Sequence, residues 1–187
     1  MWTIPTLMTL ARIAAIPLIV GLFYLPIETA ERNLWATVMF VVFALTDWLD
    51  GYLARKLNQS SAFGAFLDPV ADKFLVCASL LVLVHLDRAD VLVALIIIGR
   101  EIAISALREW MAQIGASRSV AVHVLGKLKT MVQMVAIPFL LYDDQLIGVI
   151  DTALWGTVLI WIAGVLTVWS MVYYLQKAWP DIVDHAK

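Results

Sequence analysis

The chain has 187 residues, 63% of them hydrophobic and 15% charged, with a formal net charge of −2 at pH 7. Soluble domains sit nearer about 45–50% apolar, so no core of this size could hide the excess, and lipid is the expected solvent. The slightly acidic balance excludes the basic stripe of a nucleic-acid binder, and the single cysteine, Cys77, excludes an internal disulfide.

A spanning helix needs about 20 mostly apolar residues. Six segments meet this in chain order: residues 7–25, 34–53, 66–86, 91–111, 122–142 and 153–175. The expected fold is therefore an all-α integral membrane protein with six transmembrane helices. With no repeat, linker or cleavable leader in view, residues 1–187 read as one domain. Ile4, Pro5 and Thr6 are expected to form a short interfacial helix ahead of the first span. Thr6 and Thr9 suit capping or interfacial hydrogen bonds as well as a ligand contact. The second and third spans carry Asp47, Asp50, Asp68, Asp72 and Lys73. Pro69 is expected near the start of its helix, where proline is tolerated. The fourth span carries Arg100, Glu101, Ser105, Arg108 and Glu109, and the fifth opens with Gly126, Lys127, Lys129 and Thr130. Only the sixth has a clean uncharged run, and packing suffices to explain Gly148, Gly156 and Gly164. His85 and His185 read as interfacial or solvated. The roles of His123, Arg118, Ser119 and Lys129 stay open.

Charge sets the expected orientation. Six spans put both termini on one side. The loops of the other side hold two basic residues, Arg32 and Arg88, against seven acids, Glu28, Glu31, Asp87, Asp90, Asp143, Asp144 and Asp151. The positive-inside rule then makes the termini cytoplasmic. Trp2, Trp35, Trp155 and Trp179 suit interfacial anchoring. A charge inside a span costs a few kcal/mol. Several such charges of both signs, all toward the cytoplasmic end, point to a polar cavity rather than to snorkelling.

The densest chemistry runs from Asp47 to Asp72. At about 100° per residue, Asp47, Asp50, Gly51 and Ala54 fall within one arc of a helix, with Arg55 beside it. Gly64, Asp68 and Asp72 are four apart and stack on one face of the next helix. A short polar connection makes the two helices antiparallel, so the faces can meet. Four facing carboxylates would repel strongly at low dielectric. Hard divalent cations resolve that repulsion, Mg²⁺ above all where a phosphate completes the shell. Two ions about 4 Å apart can serve a phosphoryl displacement.

The pattern Asp47-x2-Asp50-Gly51-x2-Ala54-Arg55-x8-Gly64-x3-Asp68-x3-Asp72 resembles the complete motif of the CDP-alcohol phosphotransferases. The resemblance implies six transmembrane helices, usually as a homodimer. It implies transfer of a phosphatidyl group from a CDP-lipid to an alcohol, with release of CMP and dependence on Mg²⁺ or Mn²⁺, two ions per site. It implies that Asp47, Asp50, Asp68 and Asp72 bind metal and that Asp50, Gly51, Arg55 and Gly64 attend the CDP moiety. Asp72 corresponds to the general base. Arg100, Arg108 and Lys127 read either as ion-paired to neighbouring acids or as an anion pocket for an acceptor that carries its own phosphate. The segments at Ile4–Arg12, Arg100–Trp110 and Gly126–Thr130 resemble members that use glycerol 3-phosphate with CDP-diacylglycerol, in a bacterial inner membrane with the site cytoplasmic. A sibling acceptor such as phosphatidylglycerol or inositol phosphate is the nearest alternative. A prenyltransferase would carry two separated aspartate motifs, and a divalent-cation channel would not confine its acids to one end.

Overall fold

The structure, a computed structural model, describes the backbone over residues 4–57, 62–116 and 124–185, and side chains over 6–46, 63–64, 66–116 and 126–184. Six helices account for nearly all of it: α1 (Ile4–Leu22), α2 (Thr29–Leu57), α3 (Ala62–His85), α4 (Val91–Gln113), α5 (Val124–Tyr142) and α6 (Thr152–His185). Their starts and stops follow local chemistry. Asp90 caps α4 by accepting from the Leu92 amide at 2.7 Å, and Asp151 accepts from the Leu154 amide at 3.0 Å at the head of α6. At the foot of α4, Gly115 takes φ 76°, and the Ala116 amide donates to the Met111 carbonyl at 2.8 Å. Such a left-handed C-terminal turn suits glycine.

Contacts between the helices fix their alternation. Thr9, early in α1, donates to Asp68, early in α3. Asn33, at the head of α2, donates to the Tyr142 carbonyl at the foot of α5. Lys129, early in α5, pairs with Glu101 in the second half of α4. The helices thus run up and down, and one end of the bundle collects the start of α3 and α5 with the later halves of α4 and α6.

The core lies between helices along their whole length. Ile16, Phe40, Leu80, Ile97, Ile137 and Ile160, one from each helix, are all at most 3% exposed. The outward faces are equally apolar: Leu18, Leu45, Leu81, Leu95, Met131 and Val165, again one per helix, are each more than 60% exposed. So many exposed large apolar side chains on every helix are foreign to soluble monomers. Among the described residues one helix, Thr152–Asp184, is long and apolar enough to cross a membrane by length and composition alone, with Thr6–Leu22 a shorter apolar helix.

Four expectations need correction. Ile4 to Thr6 form the first turn of α1 rather than a separate interfacial helix. Helical hydrogen bonding continues through them because Pro5, in the first turn, sacrifices no intrahelical bond. Pro69 lies two turns inside α3, which begins at Ala62. Within α3 this proline gives up one intrahelical hydrogen bond, so propensity alone would have ended the helix there. The chain is not wholly α: Gln145–Leu146 (β1) and Ile150–Asp151 (β2) pair antiparallel. Ile147 and Gly148 both have positive φ, 57° and 68°, which closes the tight turn between them. Thr152 seals its base, its hydroxyl donating to the Asp144 carbonyl at 2.7 Å. The sixth helix also runs to His185, past the expected end at residue 175, and passes through Pro180.

Candidate active site

The two expected aspartate segments fall in the last turns of α2 and the first turns of α3. Asp47, Asp50, Gly51 and Arg55 belong to the last turns of α2 by backbone, and their side chains lie outside the described residues. Gly64 is buried in α3, whereas Asp68 and Asp72, one turn apart on the same helix, are half-buried. The Thr9 hydroxyl donates to Asp68 and so ties α1 to the carboxylate. Arg118, Ser119 and His123 lie outside the described residues.

Four residues singled out by sequence share one cleft of about 920 Å³: Asp72, Arg100, Arg108 and Lys127. Lys73, Glu101, Gly126, Thr130 and Tyr174 line it as well, with Pro69, Met131 and Met134 forming its apolar side. The cleft is cationic, since Lys73, Arg100, Arg108 and Lys127 outnumber Asp72 and Glu101 by four to two. Glu101 is heavily used. It accepts from Lys129 and lies 3.4 Å from Arg100 Nη1. Ion pairing of Arg100 is therefore real, but it occupies only one face of that guanidinium. Arg100 Nη2 donates to Ser170 Oγ at 3.2 Å, and Arg108 Nη2 donates to Tyr174 Oη at 3.4 Å. The Nε–H groups of Arg100 and Arg108 are buried and meet no acceptor among the described residues. A buried donor without an acceptor is costly, and together with the cationic excess of the cleft it favours an anion at this end of the bundle.

Sequence reasoning left the roles of Lys129 and Thr9 open and passed over Tyr174 and Ser170. Lys129 is buried, at 2% exposure, and serves Glu101. Tyr174, Ser170 and Thr9 are also fully buried. One signal was available: Thr6, Thr9 and Arg12 recur at three-residue spacing in an otherwise apolar helix, and all three are buried. Tyr174 and Ser170 gave none, because a tyrosine and a serine four apart in an apolar span look like packing.

The donor set suits a hard cation as far as it is described. Asp68 and Asp72 offer only oxygen ligands on one helix face, and Thr9 occupies one oxygen of Asp68. Among the described residues no group of three or more His, Cys, Asp or Glu side chains gathers as a complete ligand set.

A helical membrane-type bundle with a carboxylate pair beside a cationic cleft is the frame of a phosphotransferase acting at a lipid surface. The sequence model of the CDP-alcohol phosphatidyltransferases matches residues 2–169, and the chain belongs to that family. It is 50% identical, over 185 residues and 98% of both chains, to the CDP-diacylglycerol–glycerol-3-phosphate 3-phosphatidyltransferase of Escherichia coli. The proteins of the same name from Shigella flexneri and Shigella sonnei match to the same extent.

Proposed function

We propose that this chain transfers the phosphatidyl group of CDP-diacylglycerol to the primary hydroxyl of sn-glycerol 3-phosphate, giving phosphatidylglycerophosphate and CMP. The relatives that match across 98% of the chain carry that activity in their names. The observation that carries the reading within this molecule is the cleft: Asp72 shares it with Arg100, Arg108 and Lys127. An acceptor with its own phosphate would be bound through the three cations while its hydroxyl meets the carboxylate. The acceptor oxygen attacks the β-phosphorus and yields its proton to Asp72. The bond between the β-phosphorus and the bridging oxygen breaks, and CMP departs with that oxygen. Arg55 and the glycines Gly51 and Gly64 attend the CDP moiety with Asp50. Positioning and fixed charge supply most of the rate in such a reaction.

Members of the family are generally divalent-metal dependent. Asp47, Asp50, Asp68 and Asp72 would hold two such ions, Mg²⁺ or Mn²⁺, whose charge neutralises the diphosphate and the departing phosphate.

The whole chain, on this reading, is one catalytic domain with six transmembrane helices in a bacterial inner membrane, its termini and active site cytoplasmic. The lipid-facing side chains on every helix support the spans. The charge balance of the loops supports the orientation. The two ends also differ as binding surfaces. The cleft at the far end, about 610 Å³, is lined by Glu28, Glu31, Asp143 and Asp144, and it would repel both substrates. The assembly we expect from the family is a homodimer.

The test is CMP release by purified protein from CDP-diacylglycerol in mixed micelles, with glycerol 3-phosphate, glycerol, inositol phosphate or phosphatidylglycerol as acceptor, with Mg²⁺ or with chelator. Release with glycerol 3-phosphate and Mg²⁺, and only background with the other acceptors or with chelator, is the expected result. Preference for another acceptor would replace the reading with that of a sibling transferase.

A further inference from the structure

Arg100 and Arg108 are eight residues apart on α4, two turns along one face. Without an anion between them, two guanidinium groups in one cleft repel and would swing apart. Glu101 of α4 lies 3.4 Å from Arg100 Nη1, but the group that meets both guanidiniums is on a different helix. Tyr174 of α6 is 1% exposed. Its ring centroid lies 5.6 Å from Arg100 Cζ and 5.4 Å from Arg108 Cζ. Both distances fall within cation–π range. Its hydroxyl is the one hydrogen-bond acceptor of Arg108 among the described residues. One turn earlier on α6, Ser170 accepts from Arg100 and its hydroxyl donates to the Thr167 carbonyl at 2.9 Å. The tyrosine is itself fixed by Ile104, Met111 and Ala178, with Leu107, Trp110 and Met171 around them. Across the cleft α5 leaves room for it. A Cβ at Gly126 would lie 3.2 Å from Tyr174 Oη and 3.9 Å from Arg100 Nη2.

We propose that Tyr174 is a positioning residue that presets Arg100 and Arg108 for one phosphate group, and so makes the site selective for a phosphorylated alcohol. The ring attracts both cations through its face and the hydroxyl holds one of them. Neither contact uses the Nε–H groups, which are buried and have no acceptor among the described residues. The inference rests on the proposed function and names a determinant of its acceptor. It predicts that the ring's electrostatics, not merely its volume, set acceptor affinity.

The experiment is Tyr174→Phe in the full chain, followed by singly, doubly and triply fluorinated phenylalanine placed at the same position. Fluorine drains the ring face while keeping its size, so folding is preserved through the series. The acceptor KM should rise with each fluorine, to roughly three- to tenfold at three, while the KM for CDP-diacylglycerol stays within about twofold. A purely structural tyrosine would lower kcat or thermal stability without ordering the acceptor KM by fluorine count. A flat acceptor KM across the series, or an equal rise for both substrates, overturns the proposal. The unaltered chain is assayed alongside. No release of CMP with glycerol 3-phosphate there would sink the functional reading itself, whereas normal release with a flat series sinks only the role of Tyr174.

Discussion

The two ends of the bundle each bury arginine, and they treat it in opposite ways. At the far end Arg88 is used up. Its Nε lies 2.9 Å from the Asp143 carboxylate. Its Nη groups donate to Asn33 Oδ1 at 3.2 Å and to the Leu140 and Leu141 carbonyls at 3.3 and 3.0 Å. Those carbonyls belong to the last turn of α5, which has no intrahelical donor for them. Burial pushes the Arg88 pKa below its ordinary value, and Asp143 opposes the shift. The guanidinium therefore staples the α3–α4 turn to α2 and α5. At the other end Arg100 and Arg108 are held by Ser170, Glu101 and Tyr174, yet each keeps a buried donor without an acceptor among the described residues. Arg32, at the far end, also has a buried Nε–H without an acceptor among the described residues, but it lies over the Phe23 ring, whereas Arg100 and Arg108 share a cleft in which cations outnumber acids. The difference locates function more sharply than the residue type does.

That contrast can be broken by substitution. Asp72→Asn should cut turnover about 10²–10⁴-fold, the range of a lost general base, while the thermal unfolding midpoint in detergent stays put. Turnover near that of the unaltered protein would remove Asp72 from its assigned role. Arg88→Ala should do the converse. Losing the pair and uncapping the α5 carbonyls should cost about 2–3 kcal/mol of stability, read as a lowered unfolding midpoint, with both KM values unchanged. Gly156→Ala probes the same end. A methyl there would meet Leu140 Cγ at 2.7 Å and the Leu140 backbone N at 3.1 Å. A loss of about 1–3 kcal/mol from overpacking is expected, again without change in KM. Thr9→Val sharpens the other side. Removing the Asp68 hydrogen bond should lower turnover by roughly three- to tenfold, one hydrogen bond's worth, and should raise the metal concentration needed for half-activity.

Much of the fold was legible. Six apolar segments, short polar connections and the acids and glycines of the turns gave the helix count and the up-down order. The ends were less so. Pro69 looks like a helix start and is an interior residue of α3, a position that the usual penalty on proline argues against. The ribbon at 145–151 escaped notice because a two-residue strand has no periodicity to detect. Ile147 adopts a positive φ that its β-branched side chain argues against. Within the site, charge was the visible signal. Asp72, Arg100, Arg108 and Lys127 stood out as costly residues in apolar spans, and they line one cleft. Of their supports only Thr9 drew notice, with its role left open. Tyr174, Ser170 and Thr9 are uncharged, and their importance comes from tertiary neighbours 66, 70 and 59 residues away in the chain.

The most direct measurement compares Arg108→Ala with Arg88→Ala in one assay of CMP release, varying glycerol 3-phosphate and CDP-diacylglycerol in turn. Loss of a charged hydrogen-bonding partner of phosphate should raise the acceptor KM of Arg108→Ala roughly ten- to hundredfold, with the lipid KM and the unfolding midpoint little changed. Arg88→Ala should show the reverse, a lowered midpoint and unchanged KM values. Equal rises in both KM values for Arg108→Ala, or an acceptor KM that moves as far for Arg88→Ala, would contradict the account.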